Sequence, residues 1–332
     1  MGSSHASGRL DRIVDSVLDA AVVPGFSRIG YAVRSRGAAW RGIDTYDLTG
    51  RRIVISGVTS GLGAATARQL RSIGADLVII GRDAGRTEQA ATALRTVPGP
   101  GTVEVVLADM GELRQVRVAG EAIIASGRSV DVVVHNAGAL LGQRTLTSEQ
   151  NEVTIATHVL GPFQLTMLLL GHLKASAGRV ITVASGGMYA APLPDIDAGE
   201  TLEMSPASYN GTRQYAIAKR AQVTLNEMWA TEQPAVHFQA MHPGWADTPG
   251  VKTSLPTFGR LLKSVLRTPE EGADTVCWLA ADDEGAASSG GFWCDRAQRP
   301  IHRLPTTRHS DSASARAALW QWCRTTCELS AQ

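Results

Sequence analysis

The chain has 332 residues, of which 44% are hydrophobic, and this is long enough for one large α/β domain with extensions, which we favour, or for two small domains. Its 32 Lys and Arg residues balance 31 Asp and Glu residues, so the net charge of +1 gives no field that would attract nucleic acid. The first of the four cysteines is Cys277, and none has zinc-ligand spacing, so we expect reduced thiols, no metal and a cytoplasmic protein. No apolar run reaches the ~20 residues of a membrane span.

Residues 1–47 form an N-terminal extension with helical character. The stretch "LDRIVDSVLDAAVV" places one apolar stripe on a helix, made of Leu10, Ile13, Val14, Val17, Leu18 and Ala21. Four arginines follow without an acidic residue among them, namely Arg28, Arg34, Arg36 and Arg41. We expect this extension to pack on the core or on a second subunit. The alternative is peripheral membrane attachment, in which the apolar stripe lies under the lipid headgroups and the arginines contact anionic lipid.

Residues 48–300 alternate between strand and helix patterns. "RRIVISG", "DLVIIGR", "TVEVVLADM", "VDVVVHNAG" and "GRVITVASG" are short Val/Ile-rich runs, and helical stretches such as "AATARQLRSIGA" separate them. Such runs are typical of strands buried on both faces of a parallel sheet. We therefore predict a doubly wound α/β domain, the Rossmann fold, as a single domain with N- and C-terminal extensions.

The first strand runs into "SGVTSGLGAATARQL", which places Gly57, Gly61 and Gly63 in a strand-to-helix turn. Glycines there allow the backbone to approach a pyrophosphate, and the free N–H groups of the helix face its charge. About 20 residues further on, where an NAD-binding chain places a carboxylate, this chain has a glycine followed by Arg82. A guanidinium pairs with a 2′-phosphate, so NADP(H) is favoured, with NAD(H) as the alternative because Asp83 is adjacent.

The later patterns continue the same sheet. "YAIAKRAQVTLNEMWATE" predicts a long helix and "AVHFQAMHPG" a strand. "TPEEGADTVCWLAA" predicts a helix that begins with a capping box between Thr268 and Glu271. The tail, residues 301–332, ends in "ARAALWQWCRTTCEL", a predicted helix whose Leu319, Trp320 and Trp322 are available to dock and to line the substrate pocket.

Six motifs in this order resemble the short-chain dehydrogenase/reductase family over roughly residues 48–300. They are the glycine turn "SGVTSGLG", Asp109 in "LADM", the intact "NAG", Ser185 in "VITVASGG", the YxxxK pair of Tyr215 and Lys219, and "HPGWADT". The segments "SGGM", "GTRQYAIAKRAQ", "HPGWADTPGV" and "EEGADTVCWLA" resemble in particular the dehydrogenase/reductase SDR family member 12 type.

The resemblance implies an oxidoreductase that transfers hydride between a nicotinamide and a carbonyl or alcohol, with Ser185, Tyr215 and Lys219 as catalytic residues. We expect a hydrophobic substrate and a homo-dimer or homo-tetramer, unless the extensions block helix pairing. The implied cofactor contacts are Gly57, Ser60, Gly61, Leu62, Gly63, Arg82, Asp109, Met110, Asn136, Ala137, Gly138, Tyr215, Lys219, Pro243, Gly244 and Thr248.

These residue types suit proton transfer. A phenol has an ordinary pKa of about 10, which is too high for exchange near neutrality. We expect the ammonium of Lys219, one helical turn away, to lower the pKa of Tyr215, with Ser185 steadying the substrate oxygen. Tyr209 has an arginine four residues later instead of a lysine, so it is the weaker candidate.

One position departs from the family pattern. His158 in "ATHVLGPF" stands where the family has an asparagine whose carbonyl helps to hold a water linked to the active-site lysine. A histidine here still offers its backbone carbonyl to that water, and its imidazole adds a titrating group. The alternative is that His158 is a helix residue without a catalytic role. Two other functions stay open: a dinucleotide-binding sensor with lost catalysis, and an epimerase or dehydratase of the extended branch. The latter branch usually has a GxxGxxG turn and a separate substrate domain, which this chain lacks.

About thirty residues separate Ser185 from Tyr215. They include an acidic, aromatic-poor insertion, "LPDIDAGETLEMSPASYN". We expect it to cover or flank the mouth of the substrate site, or to form a plain surface loop.

Overall fold

A computed structural model describes residues 15, 18, 22–247 and 264–328 of the chain. Its sheet has the order β3-β2-β1-β4-β5-β6-β7-β8, and all described neighbours are parallel except the final pair β7 and β8. The strands are β1 Arg52–Ser56, β2 Asp76–Gly81, β3 Val103–Leu107, β4 Val132–His135, β5 Arg179–Val183, β6 His237–Met241, β7 Phe292–Cys294 and β8 Ala297–Gln298.

Helices cover both faces of the sheet. They are α1 Val22–Phe26, α2 Arg28–Gly37, α3 Gly61–Ser72, α4 Ala84–Arg95, α5 Leu113–Ala125, α6 Val153–Ala175, α7 Gly211–Glu232, α8 Pro269–Ala281 and α9 Ala313–Thr326. Helix α8 begins with the predicted capping box, in which the Thr268 hydroxyl accepts from the Glu271 N–H and the Glu271 carboxylate accepts from the Thr268 N–H. The predicted Rossmann fold is confirmed.

The strands alternate their side chains between two apolar cores. Val54 of β1 belongs to the core beneath α5, α6 and α7, whereas Ile53 and Ile55 belong to the core beneath α3, α4 and α8. All five residues of β1 are buried, because helices pack on both of its faces. Strand β1 also pairs with β2 on one side and β4 on the other. The order in which strands are added to the sheet reverses between β1 and β4, and in doubly wound folds the ligand binds in the crevice at such a switch point.

Helix α6 corrects one prediction from the sequence. We expected no segment long enough to span a membrane, but α6 is long and apolar enough by composition. Its most apolar window is 78% buried inside the domain, which is the behaviour of a core helix. The helix contains a π-helical turn at Ala156–Leu160, which shifts the register of its side chains just before Pro162.

The C-terminal helix α9 packs on α6 and α7. The Trp320 ring lies 5.1 Å from the Phe163 ring and 4.5 Å from the Trp229 ring, both measured between centroids. Trp229 is 14 residues after Tyr215 on α7, which is ~21 Å along a helix. The expectation that this helix lines the substrate pocket is therefore wrong for the described residues. A dimer built on α6 and α7 would have to accommodate or displace α9.

Candidate active site

The predicted catalytic residues come from two neighbouring elements. Strand β5 ends at Val183, and Ser185 then caps a short 3-10 turn, its hydroxyl accepting the Gly187 N–H over 3.1 Å. Helix α7 begins after Asn210, whose side chain accepts the Arg213 N–H over 2.9 Å. This cap fixes the start of the helix, so that the next turns present Tyr215 and Lys219 toward the end of β5.

The serine and the tyrosine lie on either side of Gly187. A Cβ atom placed on this glycine would be 3.5 Å from Ser185 Oγ and 3.5 Å from Tyr215 Cε1. Lys219 Nζ donates to the Val183 carbonyl over 2.8 Å and lies 5.3 Å from the centroid of the Tyr215 ring. The structure thus brings the three predicted catalytic side chains together at the carboxyl end of β5.

Burial dominates the electrostatics of this cluster. It raises the pKa of Tyr215, and a hydrogen bond with the Ser185 side chain opposes that rise only in part. It also lowers the pKa of Lys219 to about 7. We expected Lys219 to lower the pKa of Tyr215, but in the protein alone the pKa of Tyr215 is raised. Burial disfavours the charged form of Lys219, and its Nζ lies over the tyrosine ring.

His158 connects the tyrosine to the "NAG" segment. It is buried in the π-helical turn, and its Nε2 atom lies 3.0 Å from the Ala139 nitrogen and 2.9 Å from the Ala139 oxygen. The ring meets the Tyr215 ring edge-on, with centroids 5.3 Å apart. Burial and then the charge of Lys219 hold the pKa of His158 well below 6.5. The imidazole is thus neutral near pH 7, and its contacts suit positioning better than titration.

Gln222 was not predicted as a site residue. Its side-chain Nε2 donates to the main-chain oxygen of His158 over 2.7 Å, and the residue is only 5% exposed. The resemblance implies that this carbonyl helps to hold a water linked to the active-site lysine, and here the carbonyl accepts a hydrogen bond from the Gln222 side chain. Gln222 lies three residues after Lys219 and seven after Tyr215 on α7, so helical spacing was the signal that could have identified it.

The glycine turn is shaped as the sequence predicts. Gly57 and Gly61 have φ angles of +74° and +55°, and Ser60 begins α3 without a side-chain cap bond. The first-turn N–H groups of α3 are thus left for another acceptor. A Cβ on Gly63 would lie 2.2 Å from the Gly57 oxygen, so glycine is required for this close approach. Leu62 lies beside α8, 3.0 Å from where a Cβ on Gly272 would be.

The "NAG" segment braces this turn from β4. The Asn136 side chain donates to the carbonyls of Ser56 and Gly57 over 3.0 and 2.9 Å, and the Ser56 hydroxyl accepts the N–H groups of Asn136 and Ala137. Asn136 therefore holds the glycine turn with its side chain. Gly138 is exposed, and a Cβ there would lie 2.6 Å from His158 Cε1.

The predicted adenosine end is open. The Arg82 side chain is 71% exposed, and its Nη1 atom lies 3.5 Å from Asp109 Oδ2. The neighbouring Asp83 caps α4 by accepting the Arg86 N–H over 2.7 Å, so its carboxylate is engaged with its own helix. Met110, by contrast, is 5% exposed and belongs to the core under α6.

The turn after β6 lies at the same carboxyl edge of the sheet as the glycine turn and Ser185. Gly244 has a φ of +72°, and a Cβ there would lie 2.3 Å from Cζ of Arg267. The Pro243 oxygen accepts from Arg267 Nη1 over 3.3 Å. Thr248, also predicted to contact the cofactor, lies outside the described residues.

The insertion folds onto the loop before α6. Arg144 Nε donates to the Met204 oxygen over 3.0 Å, and the Tyr209 hydroxyl donates to Glu152 Oε1 over 3.0 Å. Leu202 is 1% exposed, so the segment is packed on the domain and is more than a plain surface loop. Tyr209 serves this packing.

A nicotinamide dinucleotide fits these residues. An uncapped helix start and two glycines at positive φ lie at the switch point, next to β1. The exposed guanidinium of Arg82 lies after the neighbouring strand β2, and the hydroxyls of Ser185 and Tyr215 lie two strands from β1 on the other side. This arrangement can place a pyrophosphate at α3 and a reactive ring near β5.

Comparison with known proteins gives the same assignment. A family model described as short chain dehydrogenase matches residues 51–192. Dehydrogenase/reductase SDR family member 12 from Bos taurus is 38% identical, over 79% of this chain and 82% of that protein. The Homo sapiens protein of the same name is 36% identical, over 80% and 82%. Both resemblances predicted from the motifs are confirmed.

Two further similarities extend this comparison. Retinol dehydrogenase 14 from Homo sapiens is 32% identical, over 77% of this chain and 81% of that protein. A solved structure of an uncharacterized protein from Mycobacterium Paratuberculosis has a TM-score of 0.66 and 26% identity, and the match covers 87% of this chain and 98% of that one.

Proposed function

Because the chain belongs to the short-chain dehydrogenase/reductase family and is thus an NAD(P)-dependent oxidoreductase, we propose that it is an NADP(H)-preferring carbonyl reductase or alcohol dehydrogenase. The single observation that supports this most is the convergence of Ser185, Tyr215 and Lys219 at the carboxyl end of β5. When bound, the cofactor supplies or accepts the hydride at its nicotinamide ring.

The protein's own groups handle the proton. Tyr215 gives its hydroxyl proton to the carbonyl oxygen in reduction and takes one up in oxidation. The Ser185 hydroxyl holds that oxygen next to the phenol, where charge develops. Burial lowers the pKa of Lys219 to about 7, so near neutrality its Nζ is ready to hold or release a proton behind the tyrosine ring. His158 keeps the ring in place from its edge.

The preference for NADP(H) is supported by charge. The Arg82 guanidinium is exposed at the end of β2, and a 2′-phosphate there would gain charge-assisted hydrogen bonds. The carboxylate of Asp83 is occupied by the start of α4 and does not offset this. Asp109 is close enough to orient the guanidinium.

The substrate class is supported by one relative. The relative's name, retinol dehydrogenase, describes action on a lipophilic alcohol. We propose a hydrophobic aldehyde, ketone or alcohol as substrate.

A spectrophotometric screen tests this proposal. Purified protein is incubated with NADPH and a panel of carbonyls containing retinal, a long-chain aldehyde and a small polar ketone, and the loss of NADPH absorbance is followed. We expect turnover with the lipophilic carbonyls. Tight binding of NADPH with no turnover on the whole panel would favour the sensor function instead.

Peripheral membrane contact by a cytoplasmic protein is a second proposal, carried by α2. Ile29 and Val33 are one turn apart on this helix and are 55% and 41% exposed, with the exposed Arg36 one further turn along. Flotation with anionic vesicles at low salt tests it. Co-flotation that is lost in an Ile29→Glu, Val33→Glu variant supports contact, and a wild-type protein that stays at the bottom excludes it.

A further inference from the structure

The N-terminal arm, defined here as residues 22–47, is joined to the segment that follows β6. The Trp245 N–H donates to the Phe26 oxygen over 2.8 Å, and the Arg28 N–H donates to the Val265 oxygen over 2.8 Å. Trp245 comes directly after the Pro243–Gly244 turn. The backbone of the arm therefore pairs with both sides of the connection that leads away from the site.

Phe26 also packs behind the catalytic serine. Its side chain is 6% exposed, and its ring meets the His242 ring edge-on with centroids 4.5 Å apart. A Cβ on Gly186, the residue after Ser185, would lie 3.4 Å from Phe26 Cε2 and 3.2 Å from His242 Nε2. The serine turn thus rests on a layer formed by the arm and the end of β6.

A buried ionic cluster fixes the arm to the Pro243–Gly244 turn. Arg267 is 1% exposed and contacts that turn directly, through the Pro243 oxygen and the space left by Gly244. The same guanidinium donates to two carbonyls of the arm, those of Gly25 and Ser27, each over 3.2 Å. One side chain therefore joins the arm and the turn.

Asp295 completes this cluster. It accepts from Arg267 over 2.5 and 2.8 Å and from Arg34 of the arm over 2.6 Å. Burial alone raises the pKa of Asp295, but the charges and hydrogen bonds of the two arginines outweigh it and the pKa lies below its ordinary value. Such fully buried ion pairs add little net stability, yet they define geometry, because any displacement leaves a charge unpaired.

We propose that the N-terminal arm is a positioning element of the active site, which sets the Pro243–Gly244 and Ser185–Gly186 turns so that the nicotinamide half of the cofactor can bind. The proposal rests on the proposed function, in which those turns face the nicotinamide. Phe26, Arg34 and Arg267 act through the turns and touch no reacting atom. The contacts described above gather at β5 and β6, whereas the adenosine end, at Arg82 and Asp109, follows β2 and β3 across the sheet.

The test compares two ligands on the same protein. NADPH carries both halves of the cofactor, whereas 2′-phospho-ADP-ribose lacks the nicotinamide. Their Kd values are measured by calorimetry for wild type, Phe26→Ala and Arg34→Lys, and circular dichroism checks that each variant is folded. Ile29→Ala, an exposed position on the same arm, is the matched control.

We expect both arm variants to weaken NADPH at least tenfold while changing 2′-phospho-ADP-ribose less than about twofold, with Phe26→Leu restoring most of the loss and Ile29→Ala changing neither. Equal weakening of both ligands, or unchanged NADPH binding in either folded variant, would overturn the proposal. If Phe26→Ala does not fold, Arg34→Lys decides by the same criterion. A wild type that binds neither ligand contradicts the proposed function itself, which is a separate outcome.

Discussion

The side-chain amide of Gln222 donates a hydrogen bond to the main-chain carbonyl of His158 over 2.7 Å. This bond ties helix α7, which carries Tyr215, to the π-helical turn of α6, where His158 packs on the Tyr215 ring. Both residues are buried, at 5% and 2% exposure, so water does not readily replace the bond.

Replacement of Gln222 by methionine keeps the volume of the side chain and removes the donor. We expect Gln222→Met to reduce the free energy of unfolding by about 1–3 kcal/mol, since a buried carbonyl loses its partner. Denaturant unfolding measures the loss, and Gln321→Met, at an exposed position of α9, is the control. Equal stability of the Gln222 variant and wild type would show that the bond contributes nothing.

The buried ammonium of Lys219 predicts a pH dependence of stability. Its pKa falls from the ordinary 10.5 to about 7 on folding because burial penalises the charged form. Between these values the unfolded chain holds a proton that the folded chain has released. The contribution of Lys219 to stability therefore becomes more favourable as pH rises from about 7, and it becomes less favourable as pH falls toward 7.

Lys219→Met isolates this effect. Buried thiols and phenols titrate alike in both proteins, so the difference in unfolding free energy between wild type and variant removes their contribution. We expect the stability of wild type relative to Lys219→Met to increase by up to about 1.4 kcal/mol for each pH unit between pH 7.5 and 9. A difference that stays constant over this range would mean that the lysine keeps an ordinary pKa in the folded protein.

Arg82 predicts cofactor selectivity. Removal of its guanidinium in Arg82→Ser takes away charge-assisted bonds to a 2′-phosphate, which NADH lacks. We expect the Kd for NADPH to rise ~10- to 100-fold and the Kd for NADH to stay within about threefold. Arg86→Ala, which removes an exposed arginine of helix α4 four residues after Arg82, is the matched control. Parallel changes for both cofactors would rule out a role for Arg82 in selectivity.

The sequence predicted those parts of the molecule that depend on local pattern. Strand runs, the glycine turn, the capping box at Thr268 and the four-residue spacing of Tyr215 and Lys219 are all set by nearby residues. Long-range contacts were not predictable in this way. Arg267 and Asp295 are 28 residues apart, and Arg34 joins them from 261 residues away from Asp295, so no spacing in the chain identifies the cluster.

Burial also reversed one electrostatic prediction. The spacing of Tyr215 and Lys219 correctly indicates proximity, but it carries no information on how much water reaches them. In the folded chain burial raises the pKa of Tyr215 and lowers that of Lys219. The direction of a pKa shift depends on the whole tertiary environment of the group, and the spacing of two residues along a helix does not describe that environment.

Single-turnover reduction of a lipophilic aldehyde by bound NADPH is the measurement that tests the role of Tyr215 most directly. We predict that Tyr215→Phe slows the step by ~10²- to 10⁴-fold while NADPH binds as in wild type, because the proton donor is lost and the aromatic ring is kept. Tyr209→Phe, which loses a hydroxyl bonded to Glu152, is expected to react at close to the wild-type rate. A Tyr215→Phe protein that reduces the aldehyde as fast as wild type would contradict the assignment of this hydroxyl as the proton donor.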